Sequence, residues 1–148
     1  MPFRKLLKYF TIVIAVAVVG LILIQFIPVK ITNPPVVSEP NWDSPQTRAL
    51  AQRACFDCHS NEVVVPPYAK IAPVSWIIAN HVSEGREKLN FSDWGKVRSK
   101  KANEAIEVIS EGEMPPLYYT VIHPAARLTP AEKQALIAGL RATIQNSN

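Results

Sequence analysis

The sequence predicts an all-α protein, one apolar helix at the N-terminus followed by a helical domain. Three observations carry this. Residues 9–29, YFTIVIAVAVVGLILIQFIPV, hold no ionisable side chain except the Tyr9 phenol. Beyond residue 45 the apolar side chains recur at helical spacing. No alternating strand pattern of any length stands out, and the β-branched run EVVVPPY (62–68) ends in two prolines that a central strand does not accept.

The apolar run comes first. About 20 such residues cross a hydrocarbon core of roughly 30 Å as a helix. Val and Ile, poor helix formers in water, are no obstacle where every backbone group must be satisfied within the segment. A cleaved signal peptide would need a shorter apolar core and a small-residue cleavage site, which Gln25-Phe26-Ile27-Pro28 does not offer. The run therefore reads as an uncleaved anchor in contact with membrane lipid. Arg4, Lys5 and Lys8 precede it and stay in the cytoplasm by the positive-inside rule, so everything after residue 30 faces outward. The expected location is a bacterial cytoplasmic membrane, crossed once, with the domain on the periplasmic or extracellular side. Together with Lys30, those residues account for the net charge of +4, leaving 12 basic and 12 acidic residues in 31–148. A body so balanced, with no Arg/Lys ladder interleaved with aromatics, excludes nucleic acid as a partner.

Residues 1–30 are read as the anchor, 31–44 as a proline-rich linker and 45–148 as the domain. Pro28, Pro34, Pro35, Pro40 and Pro45 favour extended polyproline geometry at about 3.1 Å per residue, which would hold a domain away from the lipid. Ser44-Pro45 caps and opens a helix running to about Cys55. APVSWIIANHVSEG puts Val74, Ile77, Ile78, His81 and Val82 on one stripe of a second helix that ends near Gly85. SKKANEAIEVISEG groups Ala102, Ala105, Ile106 and Ile109, with Gly112 as the stop. In the fourth helix Thr129 caps, Pro130 takes the first position and Glu132 completes a capping box; Leu136, Ile137, Leu140 and Ile144 form its buried face. Four short helices bury a thin apolar face, so an additional buried group would help hold them.

Cys55 and Cys58, the only cysteines, stand with His59 in CFDCH. Three chemistries compete for them. Cys-x-x-Cys leaves both sulfurs on one side of a helical turn, where each can add to one haem vinyl group, and His59 then serves as proximal iron ligand. A thiol–disulfide redox pair belongs between a strand and a helix, and no βαβ pattern surrounds this one. A structural zinc needs four ligands, and His81 and His123 stand at no familiar spacing. A plain Cys55–Cys58 disulfide in an oxidising compartment is the structural alternative, and closing so short a loop stabilises little. Export and an all-α body favour one covalent haem c. For the sixth ligand, Met114 is the only methionine besides the initiator; it follows a helix end and precedes two prolines in SEGEMPPLYY. The alternative is a gap-filling core methionine. His81 lies on the apolar stripe and is a second candidate for the iron, for a propionate or for a satisfied core position. His123, in VIHPAA, sits in a loop.

These motifs, CFDCHSNE, YAKIAPVSW, HVSEGREKLNFSDW, GEMPP and HPAARLTPAE, together resemble those of the haem-binding domain family, a single-haem branch of the cytochrome c-like fold. The resemblance covers about residues 47–143. It implies covalent haem through Cys55 and Cys58, iron on His59, and Met114 as distal ligand. By the same analogy the block from Ile71 to Trp76 lines the haem pocket. Tyr68 and Trp76 are aromatic candidates for packing on the porphyrin or bonding its propionates, the alternative being an ordinary core position. One departure stands out: Val63, Val64, Val65, Pro66 and Pro67 occupy the stretch before Tyr68 where a Trp is expected.

The reading is a membrane-anchored monohaem cytochrome c that passes single electrons to redox partner proteins or within a respiratory or photosynthetic complex. No bond making on a substrate is required, so no enzymatic activity is expected. A peroxidase-like haem enzyme would need an open sixth position and polar distal groups, with His81 the candidate. A haem-based sensor or assembly factor would bind a gas or a partner instead. Lys96, Arg98, Lys100 and Lys101 form a basic run suited either to docking an acidic partner or to a solvated helix face.

Overall fold

The structure, a computed structural model, describes residues 3–97 and 99–147. The described residues form seven α-helices, α1 (Phe3–Ile24), α2 (Pro45–Ala54), α3 (Phe56–His59), α4 (Val74–Lys88), α5 (Ser99–Glu111), α6 (Leu117–Ile122) and α7 (Pro130–Asn146). Among the described residues there is no strand, only one isolated parallel bridge between Ser38 and Asp93. The chain forms two compact units, Met1–Lys30 with Val65–Asn80, and Ile31–Val64 with His81–Asn148. The predicted all-α architecture and the N-terminal apolar helix are both found.

In the first unit α1 is long and apolar enough to cross a membrane, and none of its side chains is buried. It ends at Ile24, short of the last apolar residue at position 29. Gln25, Phe26 and Ile27 tighten into i→i−3 bonds on Ile22, Leu23 and Ile24, and Pro28 has no N–H with which to continue. The Gln25 amide then clasps the backbone of Ala72: Nε2 donates to Ala72 O at 3.0 Å, and Ala72 N–H donates to Oε1 at 3.0 Å. The Trp76 indole donates to Ile27 O at 3.1 Å.

The second unit holds the core. Leu50 and Ala51 of α2, Ile106 and Ile109 of α5, and Leu136, Leu140 and Ile144 of α7 meet in one cluster with Phe56 and Phe91, whose rings stack at 5.4 Å. α7 packs on both α5 and α2. The helix ends follow local chemistry. Ser44 accepts from Thr47 N–H ahead of Pro45, and Gly112 closes α5 at φ +86°, a conformation that favours glycine. Thr129 Oγ1 accepts from Glu132 N–H at 3.2 Å, while the Glu132 carboxylate accepts from Thr129 N–H at 2.8 Å and from Arg53 at 2.7 Å. Thr129→Ala is expected to lower unfolding stability by about 1 kcal/mol in denaturant titrations. The Thr129 N–H first, and Arg53 after it, hold the Glu132 carboxyl down to about 2. A lowered carboxyl stabilises above its ordinary value of 4.5 and loses that contribution as pH falls towards about 2, and because both of those partners survive the substitution the variant keeps this pH dependence.

Two expectations change on folding. The second predicted helix, α4, runs through Gly85 to Lys88, and its buried face passes through Ser75, Val82 and Gly85; Ile78 and His81 are half-buried, and Val74 and Ile77 are exposed. Gly85, with no side chain, lies close against the Cys58 backbone. Residues 31–44 are extended, as the prolines dictate, but they are tied into the second unit. Val37 and Ser38 N–H groups donate to Ser92 O, Trp94 N–H donates to Ser38 O, and Glu39 pairs with Arg48 at 2.8 Å. Arg98 of the basic run lies outside the described residues, while Lys96 pairs with Asp93, Lys100 with Glu104, and Lys101 donates to Glu87 O.

Candidate functional site: the Cys55–His59 turn

Helix α2 stops at Cys55, whose φ of −127° and ψ of −32° break the helix although its N–H still bonds Ala51 O. The four-residue α3 starts at once, so Cys55 and Cys58 stand on a single turn, with Cys58 and His59 N–H groups both donating to Cys55 O. Phe56, 2% exposed, roots the turn in the aromatic stack of the core. Ser60 Oγ donates to Phe56 O, Phe91 N–H to His59 O, and Arg86 Nε to Ser60 O. The turn is clamped from both sides.

The imidazole of His59 is the most constrained group in it. Nδ1 lies 2.9 Å from Gly85 O and 3.0 Å from Leu89 O. Carbonyl oxygens only accept, so Nδ1 carries the proton and Nε2 keeps its lone pair. Backbone carbonyls on one ring nitrogen fix the tautomer of a metal-ligating histidine in this way. Burial, the leading cause, lowers the affinity of the ring for a second proton, which also favours a neutral ligand.

The two thiols are half-buried and unpaired. Burial, with a smaller contribution from Cys58, pushes Cys55 up to about 12; burial and then Asp57 push Cys58 up as well. A redox dithiol is activated by the opposite shift. Among the described residues no group of three or more His, Cys, Asp or Glu is placed to hold a metal ion. Asp57, between the cysteines, accepts from Tyr119 Oη at 2.7 Å and from Val64 N–H at 3.2 Å. Burial first, and the Asp57 bond next, hold the Tyr119 phenol well above its usual range. Its ring stacks on His123 at 4.5 Å.

Met114 is half-buried in the loop after α5, its N–H on Val108 O, and it packs against the same core cluster as Cys55. His81 is half-buried with its ring 5.6 Å from Tyr118. Tyr68 and Trp76 belong to the first unit, Tyr68 in the 3₁₀ turn Pro67–Lys70 and Trp76 on α4 with its indole bonded to Ile27. The sequence pattern did not reveal Gly85, Leu89, Arg86 or Asp57 as parts of the site. Gly85 has the appearance of a helix stop, and the others act through contacts remote in sequence.

The fold and the turn thus define an all-helical protein with two thiols beside an imidazole whose Nδ1–H is held by two backbone carbonyls. Residues 19–142 match the family model of the haem-binding domain, and the chain belongs to that family. The match begins upstream of the 47–143 expected from the motifs and takes in the end of α1 and the proline-rich stretch. No curated protein and no solved structure matches the chain. Family membership supports a haem cofactor, and the donor set of the turn fits one.

Proposed function

We propose that the protein is a membrane-anchored monohaem c-type cytochrome, relaying single electrons at the outer face of a bacterial cytoplasmic membrane to a partner protein or within a membrane complex. The observation that carries this is His59 donating Nδ1–H to two backbone carbonyls, which leaves the Nε2 lone pair unprotonated for a ligand bond. Cys55 and Cys58 would hold the haem through two thioethers, and His59 and Met114 would bind its iron. The haem, when bound, supplies the one-electron chemistry; the protein fixes its ligands, buries it and excludes water. Protonated thiols suit attachment, since addition across a vinyl group consumes S–H and releases nothing. Asp57 and Tyr119 hold the turn between the two sulfurs in place.

Mass spectrometry of the full chain matured in a host able to attach haem tests the reading. One haem per chain is expected, lost from the Cys55→Ser, Cys58→Ser double variant; a bare wild-type polypeptide overturns it. The sixth ligand has its own test. A near-infrared sulfur–iron band in the oxidised protein is expected, and Met114→Ala should remove it, lower the reduction potential and admit carbon monoxide. Wild-type protein lacking that band would assign the sixth position elsewhere.

A further inference from the structure

The first unit carries exposed apolar side chains, two of them, Ile71 and Val74, in the block that the family resemblance assigns to the haem pocket. Ile71 is 58% exposed, Val74 40% and Ile77 54%, all within eleven residues of the turn Pro67–Lys70. They follow one another at spacings of three, and Val74 and Ile77 share a face of the first turn of α4. In a soluble protein a group of this kind asks for a cover. Its place in the unit says which. Gln25 binds the backbone of Ala72 through both ends of its amide, and Trp76 donates its indole to Ile27. Three hydrogen bonds therefore pin the segment 71–77 to residues 25–27, where α1 ends.

With Lys8 at the cytoplasmic surface, the part of α1 from Tyr9 to Ile24 extends about 24 Å at 1.5 Å per residue, and the residues that follow complete a hydrocarbon core of roughly 30 Å. Residues 25–27 thus lie at the outer edge of that core, and whatever is clasped to them shares that depth. Phe26, 78% exposed, and Ile27, 59% exposed, carry the lipid-facing surface of α1 on to Ile71, Val74 and Ile77. Trp76 has the amphipathic ring favoured at this level, apolar body with a bonded N–H. Lys30 and Lys70, both exposed, supply cations for headgroup phosphates.

We infer that Ile71, Val74 and Ile77, pinned to the end of α1 by the Gln25 clasp and Trp76, form a second membrane contact that inserts into the bilayer interface. The partner is the lipid surface. This rests on the reading of α1 as a membrane span, and the test separates the two. Full-length haem-loaded protein is reconstituted in phosphatidylcholine/phosphatidylglycerol vesicles with the photoreactive p-benzoylphenylalanine at one position at a time: Val16 in mid-α1, Ile71, Ile77, or Gln134, an exposed polar position of α7 that reports chance collision. Haem absorbance and helical circular dichroism confirm that each variant is folded. Lipid adducts at Ile71 and Ile77, several-fold above Gln134 and approaching Val16, are expected. Adducts at Val16 with Ile71 and Ile77 at the Gln134 level overturn the interfacial contact and leave the anchor standing. Adducts to haem or to protein at Ile71 and Ile77 make this face part of the cofactor pocket or the core, and also overturn it. No lipid adduct at Val16 overturns the anchor and the contact together.

Discussion

Alanine in place of Gly85 is expected to cost the protein both stability and cofactor loading. A Cβ built on Gly85 meets Cys58 O at 2.5 Å, Cys58 C at 3.1 Å and Cys58 Cβ at 3.2 Å. The nearest of these are backbone atoms in a turn clamped by Phe91, Ser60 and Arg86, so no flexible side chain can swing aside. The helix must retreat from the turn, and the His59 Nδ1–H bond to Gly85 O stretches with it. Overpacking of this kind costs about 1–3 kcal/mol, and a weakened hydrogen bond adds about 1 kcal/mol. Against these stands the helix propensity of alanine, about 1 kcal/mol better than glycine. The balance is a destabilisation of about 1–3 kcal/mol. Denaturant unfolding should show it, and mass spectrometry should show a smaller haem-carrying fraction. Gly95→Ala is the matched control, since its Cβ meets only Ser38 Oγ, at 3.4 Å. A Gly85→Ala protein with unaltered midpoint and loading would remove the close crossing from the account.

How much of this was legible follows from where each determinant lies along the chain. The caps were legible because they are local: Ser44 with Pro45, Thr129 with Pro130 and Glu132, and Gly112 each settle a helix end through neighbours within three residues. The Cys55–His59 cluster was legible for the same reason. The partners that orient it were not. His59 finds Leu89 30 residues on and Asp57 finds Tyr119 62 residues on, and no periodicity encodes such pairs. Gly85 was misleading because one residue type serves two ends: a glycine that stops a helix and a glycine that lets a helix touch another backbone look the same in sequence. The proline-rich stretch was half legible. Its extended geometry follows from fixed φ values, but its bonds to Ser92 depend on a loop that only the fold brings beside it.

Gly139 is expected to show the same physics acting through global stability instead of through the turn. It is buried on α7 where that helix crosses α2, and a Cβ there overlaps Thr47 Oγ1 and comes within 2.7 Å of its Cγ2 and 2.9 Å of its Cβ. Thr47 is itself 3% exposed and its hydroxyl is bonded to Ser44 Oγ, so it has no empty space to turn into. Gly139→Ala should therefore lower stability by about 1–3 kcal/mol despite the gain in helix propensity. Thr47→Ala, which deletes Oγ1 and Cγ2 but leaves Cβ, should recover part of that loss, with a coupling of about 0.5–3 kcal/mol in a double-mutant cycle. Thr47→Ser keeps Oγ1, the atom most in the way, and should recover little. Strict additivity between positions 139 and 47 would mean that the helices do not cross there. The contrast with Gly85 is informative in itself. The overlap at Gly139 lies at the opening turn of α2, whereas the Cys55–His59 turn lies beyond its last residue. Under strongly native conditions Gly139→Ala chains should load haem as the parent does, while Gly85→Ala chains, whose clash falls on Cys58 itself, should not.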